Sequence, residues 1–134
     1  MIAQKILSSL TGLAFLTSFL VVGHGVAPFG TMLTWFISSF LNGETFNPEF
    51  VIPSAVACFA LLMLLVSLFL SKFAAWLTAL IGGVLCGVAF AGFLLIPETG
   101  ATVIFSLHFL IVEVFLFRYL FLYRPARVKK EKLN

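Results

Sequence analysis

The sequence predicts an all-α integral membrane protein: a four-helix bundle, up-down-up-down, with a short amphipathic interfacial helix between spans 1 and 2. Three observations carry this. Of the 134 residues, 62% are hydrophobic and only 10% are charged, against about 25% charged residues in soluble domains. The apolar residues gather into four runs, each close to the ~20 residues needed to cross a bilayer as a helix. The basic residues cluster at one set of run ends and the acidic residues, Glu113 and the tail's Glu131 aside, at the other.

Span 1 is expected over residues 6–26, preceded by Lys5. A charged start followed by an apolar run with small residues also describes a signal peptide, but three further spans make this run a first membrane helix. Ser8, Thr11, Thr17 and Ser18 supply hydroxyls that bond their own helix or a neighbour. Residues 31–41 are too short to span. Leu33, Phe36, Ile37, Phe40 and Leu41 recur at helical spacing opposite Thr31, Thr34, Ser38 and Asn42, which predicts an amphipathic helix on the membrane surface or capping the bundle. Trp35 suits that interface, and Asn42-Gly43 ends the helix in a turn.

Span 2 is expected over residues 50–70, opened by Pro48 and Pro53, because a helix tolerates proline in its first turn. Span 3 covers residues 73–96 and span 4 residues 102–123. Ser71-Lys72 and Glu98-Thr99-Gly100 are tight links, which force antiparallel neighbours. Residues 1–123 thus form the four-span domain, and residues 124–134 a basic tail.

Charge placement orients the bundle. Lys5, Lys72 and the tail residues Arg124, Arg127, Lys129, Lys130 and Lys132 lie on one side; Glu44, Glu49 and Glu98 lie on the other. Lys and Arg mark the cytoplasmic side, so both termini are expected to be cytoplasmic, in a bacterial inner membrane. Arg118, about one turn from the inner end of span 4, snorkels there. The tail reads as an anchor to anionic headgroups; nucleic-acid binding needs a broader basic face and is not expected.

Span 3 carries a small-residue ridge: Ala75, Ala79, Gly83, Gly87 and Ala91 at four-residue spacing. Small residues let helices approach closely in lipid. The ridge packs against span 2 or 4, or serves as a face for another subunit. Clustered Phe115, Phe117, Tyr119 and Phe121 read as lipid-facing or packing residues. Cys58 and Cys86 are isolated within apolar runs and read as small packing residues.

Span 4 holds the polar residues that bear on function. His108, Glu113 and Arg118 are five residues apart, so each step turns the helix by a net angle of about 140°. They share no face and form no i,i+4 ladder. Glu113 falls near mid-membrane, where a charge costs a few kcal/mol even on lenient scales (~2.5 or more). It must be neutral, paired, or turned to the protein interior or a water-filled cavity. Its partner must come from another helix, another chain or a proton. His24, flanked by Gly23 and Gly25, and His108 both belong to the outer half. A haem held between them is one alternative, quinone another; no metal-ligand spacing is present. No nucleophile elbow, phosphate loop or metalloprotease motif occurs.

The stretch from Leu10 to Gly30, with Gly12-Leu13, Phe15-Leu16, Ser18 and Ala27-Pro28-Phe29-Gly30, resembles the opening of DoxX-like four-helix membrane proteins. The amphipathic segment after it, and Ser67-Leu68-Phe69 to Ala74-Ala75, resemble that family's layout. The sequence departs in span 2, which has no acidic residue after Glu49. The resemblance implies a four-helix membrane fold and, for some members, small subunits linked to quinol oxidation. The leading expectation is a small, non-catalytic subunit or assembly factor of a larger membrane complex, with lipid and other membrane subunits as partners. The alternatives are a proton-coupled transporter or channel centred on Glu113, and a redox module with haem or quinone.

Overall fold

The computed structural model describes residues 2–22, 25–44, 48–95 and 99–125. Its elements run α1 (Ile2–Leu16), β1 (Phe19–Val22), β2 (Gly25–Pro28), α2 (Phe29–Leu41), α3 (Pro48–Phe69), α4 (Lys72–Leu94), α5 (Thr99–Phe105) and α6 (Leu107–Leu122). Helices carry nearly all of the described chain. Two stretches, Glu49–Phe69 and Lys72–Leu94, are long and apolar enough to cross a membrane.

The first predicted span is corrected. The helix stops at Leu16, and Phe19–Val22 and Gly25–Pro28 form an antiparallel pair of strands with Phe19 opposite Pro28 and Val22 opposite Gly25. The hydroxyls of Thr17 and Ser18 turn back onto the last helical turn, donating to Leu13 O at 2.9 Å and Ala14 O at 2.8 Å. The Ser18 amide bonds to Phe15 O, a tightened i−3 contact. The Ser18 carbonyl then accepts from the Phe29 amide at 2.8 Å. That bond closes the ten-residue excursion and starts α2 beside the end of α1.

The predicted amphipathic helix is α2, two residues longer at its start. Phe29, Met32 and Leu33 are buried, whereas Trp35, Ile37, Phe40 and Leu41 are exposed. Its first two turns therefore pack on the bundle and its last turn projects past it. Gly43 adopts φ 68° and bonds back to Phe40 O, the left-handed ending that glycine accommodates best.

α3 and α4 form the densest pair. Pro53 lies inside α3 and not in its first turn as expected. Its ring occupies a notch at Gly92, where a Cβ would lie 2.9 Å from Pro53 Cγ. Gly82 makes a second notch; a Cβ there would meet Leu64 Cγ at 2.8 Å. Only glycine permits either approach. The turn between the helices puts Lys72 at φ 53°, a region that costs a residue with a Cβ about 1–2 kcal/mol. α4 ends at Leu94 with Leu95 as its cap, short of residue 96.

The fourth predicted span is also corrected: it is two helices, α5 and α6, broken at Ser106. The Ser106 amide bonds to Val103 O, and its carbonyl takes both the Phe109 and Leu110 amides. Its hydroxyl donates to Phe19 O of β1 at 3.4 Å. The break is thus coupled to the strand pair.

α1 buries Gln4, Ser8 and Thr11 beside Ala14 and Phe15, and exposes Ile2, Ile6, Leu10 and Leu13. Its polar stripe faces inward and its apolar stripe outward. The two long helices likewise expose large apolar residues, over an interior that holds many small ones. Ile52, Phe59, Leu62 and Leu65 of α3 and Ile81, Val84 and Val88 of α4 are exposed, while Ala57, Ala60, Ser67, Ala75 and Ala79 are buried.

Candidate functional site

Glu113 sits on the inward stripe of α6 with Phe109, Leu116 and Leu120. Its residue surface is 7% exposed, and its Oε1 has no hydrogen-bond partner among the described residues. The facing residue is Gly87 of α4: a Cβ there would lie 3.2 Å from Oε1 and 3.6 Å from Oε2. The absent side chain makes the space that the carboxyl fills. Cys86, the neighbour of Gly87 in the chain, is fully buried.

The small-residue ridge explains how α4 presents this space. Ala75 and Ala79 are buried, Gly83 meets Leu116 and Phe117, Gly87 meets Glu113, and Ala91 is exposed. At Gly83 and Gly87 the ridge therefore faces α6, while Gly82 and Gly92 turn toward α3.

Two layers close the bundle on either side of Glu113. One turn toward the strand end, Phe15, Phe29, Phe90, Phe93 and Phe109 form a ring cluster with centroid separations of 4.8–6.1 Å. Toward the other end lie Leu116 and Leu120. Beyond them, Trp76 Nε1 donates to Leu120 O at 2.7 Å, and Arg124 stands 5.2 Å over the indole ring. Phe15 against Phe109 also fixes the antiparallel register of α1 and α6. One turn along each helix from that contact, Thr11 and Glu113 fall at the same depth. The Thr11 hydroxyl is used by its own helix, donating to Leu7 O at 2.7 Å.

The other polar residues of α6 do not converge on Glu113. His108 Nε2 lies 3.1 Å from Thr17 Oγ1 on an exposed edge. Since the Thr17 hydroxyl already donates to α1 carbonyls, the arrangement is satisfied when Nε2 carries a proton and donates to it. Arg118 is exposed beside Leu7, Phe115, Tyr119, Leu122 and Tyr123. Phe117 packs on Gly83, whereas Phe115 and Phe121 are exposed. His24, Glu98, Arg127, Lys129, Lys130 and Lys132 lie outside the described residues, as does any pairing of His24 with His108. Cys58 and Cys86 are free thiols. Among the described residues, no three His, Cys, Asp or Glu side chains come together.

Several features escaped the sequence reading. Gln4 joins Ser8 and Thr11 at i, i+4 and i+7, a spacing that does signal an inward polar stripe. Ser8 and Ser54 are buried with hydroxyls that lack partners among the described residues. Ser106 gave no signal, since a serine within an apolar run reads the same whether the helix continues or breaks.

No protein-family model, curated protein or solved structure matches this chain.

Proposed function

We propose that the protein is a small integral membrane protein with both termini cytoplasmic, acting as a non-catalytic subunit or assembly factor of a larger membrane complex. The support for membrane residence is the inverted surface. α1 buries Gln4, Ser8 and Thr11 and exposes Ile6, Leu10 and Leu13, an arrangement favoured by hydrocarbon outside and disfavoured by water. Lys5, Lys72 and Arg124 share one end, since α1 and α4 start there and α6 finishes there. Kinship with DoxX-like proteins is part of the proposal and rests on the residues quoted above.

The choice of subunit over conduit rests on the packing around Glu113. Five phenylalanine rings close one side, and Leu116, Leu120 and Trp76 close the other. An open groove of about 340 Å³ between α1 and α3 offers a seat for a partner's membrane helix. Ser8, Ser9 and Gly12 make its floor and Leu13, Leu61 and Leu65 are among its walls, the small floor and apolar wall of helix association in lipid. Ser8 Oγ, at that floor, has no hydrogen-bond partner among the described residues.

Gentle detergent extraction followed by native electrophoresis tests the proposal. Migration within a larger assembly is expected, with a photo-crosslinker at Leu65 capturing the partner and one at Val114, on α6, not doing so. Migration as a lone monomer overturns it. One observation favours a second reading, proton-coupled transport: the buried Glu113 oxygen without a partner. In that case Glu113→Gln abolishes pH-driven flux in vesicles; unchanged flux removes the reading.

A further inference from the structure

Arg118 is the second ionisable residue of α6 that hydrophobic surroundings leave unanswered. It lies on the helix face opposite the buried line of Phe109, Leu116 and Leu120, since Arg118 is two residues from each leucine and about 200° of turn away. It is exposed, and it makes no ion pair or hydrogen bond with any described residue. With the membrane placement proposed above, on which this inference rests, that face meets lipid. Tyr123, the cap of α6, follows five residues later, about 7.5 Å along the axis. The Cα–Cβ bond of a helical residue tilts toward the helix N-terminus, which here is the direction of the hydrocarbon centre. To reach the headgroup level its side chain must therefore turn back against its own Cα–Cβ direction.

The surroundings supply what an anionic lipid needs. Arg118 borders a groove of about 190 Å³ between α6 and α1, lined also by Leu7, Phe115, Tyr119, Leu122 and Tyr123. The Tyr119 and Tyr123 rings lie tilted against each other at 4.8 Å, and both phenols line the groove. Leu7, Phe115 and Leu122 give the length of apolar wall that an acyl chain covers. The charge at this end has one sign: the described residues there include Lys5, Lys72, Arg118 and Arg124, while Glu44 and Glu49 lie at the far end and Glu113 is interior.

We propose that this groove is a binding site for an anionic phospholipid. The headgroup phosphate sits on the Arg118 guanidinium, whose planar fork suits phosphate oxygens, with the tyrosine hydroxyls as further donors. One acyl chain lies along Leu7, Phe115 and Leu122. The lipid neutralises a cation that α6 carries below the headgroup plane, and it fills the seam between the first and last helices.

Native mass spectrometry of the protein released from nanodiscs of mixed phosphatidylglycerol and phosphatidylcholine tests this. Preferential retention of one phosphatidylglycerol is expected. Arg118→Gln should cut that preference about tenfold, in keeping with loss of a charge-assisted pair, whereas Lys72→Gln, at the same end but outside the groove, should leave it unchanged. Tyr119→Phe with Tyr123→Phe should weaken it less. Equal retention of both lipids, or an unaltered preference in Arg118→Gln, overturns the site. Displacement of the lipid by millimolar inorganic phosphate also overturns it, because a headgroup anchored by its chain resists a free ion. Failure of the protein to enter nanodiscs at all, with helical content intact by circular dichroism, instead overturns the membrane placement.

Discussion

Between Pro48 and Leu94 the chain makes two long helices joined across Leu70 and Ser71, and their contact is built from absences: Gly82 receives Leu64 and Gly92 receives the Pro53 ring. Between Ile2 and Pro28, and again between Thr99 and Leu122, stretches that are also rich in apolar residues break into shorter elements joined by hydroxyl and backbone bonds. The first region holds by close approach of backbones, the second by reassigned hydrogen bonds. Glu113 lies on the boundary, carried by the second region and accommodated by a glycine of the first. Close approach tolerates no added atom, whereas a reassigned bond can be lost one at a time.

That contrast can be broken most severely within the α3–α4 pair. Gly82→Ala and Gly92→Ala each force an atom to within about 3 Å of a neighbour, and each should destabilise the protein by about 1–3 kcal/mol, read as a lowered midpoint in detergent unfolding. Gly12→Ala, whose Cβ would find only ordinary contacts at 3.6 Å and beyond, should stay within about 0.5 kcal/mol. Equal effects at the three glycines would dissolve the distinction. At the junction with α6, Trp76→Phe removes the 2.7 Å bond to Leu120 O and should cost about 1 kcal/mol.

The boundary itself is sharpened by a double-mutant cycle. Gly87→Ala presses on the Glu113 carboxyl, so its cost should shrink in a Glu113→Ala background, with a coupling on the order of 0.5–1 kcal/mol. Strict additivity would mean that the carboxyl moves aside freely. Among the hydrogen-bond losses, the smallest effect is expected at Ser106→Ala. Its bond to Phe19 O is long, 3.4 Å, and its loss should cost about 0.5 kcal/mol. The same variant should speed amide hydrogen exchange in residues 19–22 while leaving α3 and α4 unchanged.

The two regions also differ in how plainly the sequence announces them. α3 and α4 were legible because apolar length and turn residues suffice to define an uninterrupted helix. The breaks at residues 17–18 and 106 were not, because a hydroxyl that bonds back to a carbonyl has no fixed consequence. Thr78 does this to Ala74 O at 2.9 Å, and α4 continues through it. Ser18 does the same to Ala14 O, and α1 has ended. The deciding partner is the Phe29 amide on the Ser18 carbonyl, eleven residues away and invisible to local pattern. The candidate site was half legible. Helical geometry excluded His108 and Arg118 as partners of Glu113 and directed attention to another helix. A ridge of five similar small residues carries no depth mark, so nothing in the sequence singled out Gly87.

Lys72 adds a consequence of a different kind. Its backbone sits at φ 53°, where glycine would be at ease. Yet its ammonium is the sole Lys or Arg charge between residues 6 and 117, and so the only cationic label on the middle of the chain. Lys72→Gly would relax the turn and erase the label together: a sturdier folded hairpin and, under the membrane placement proposed above, a chain with less to tell that hairpin which way to face.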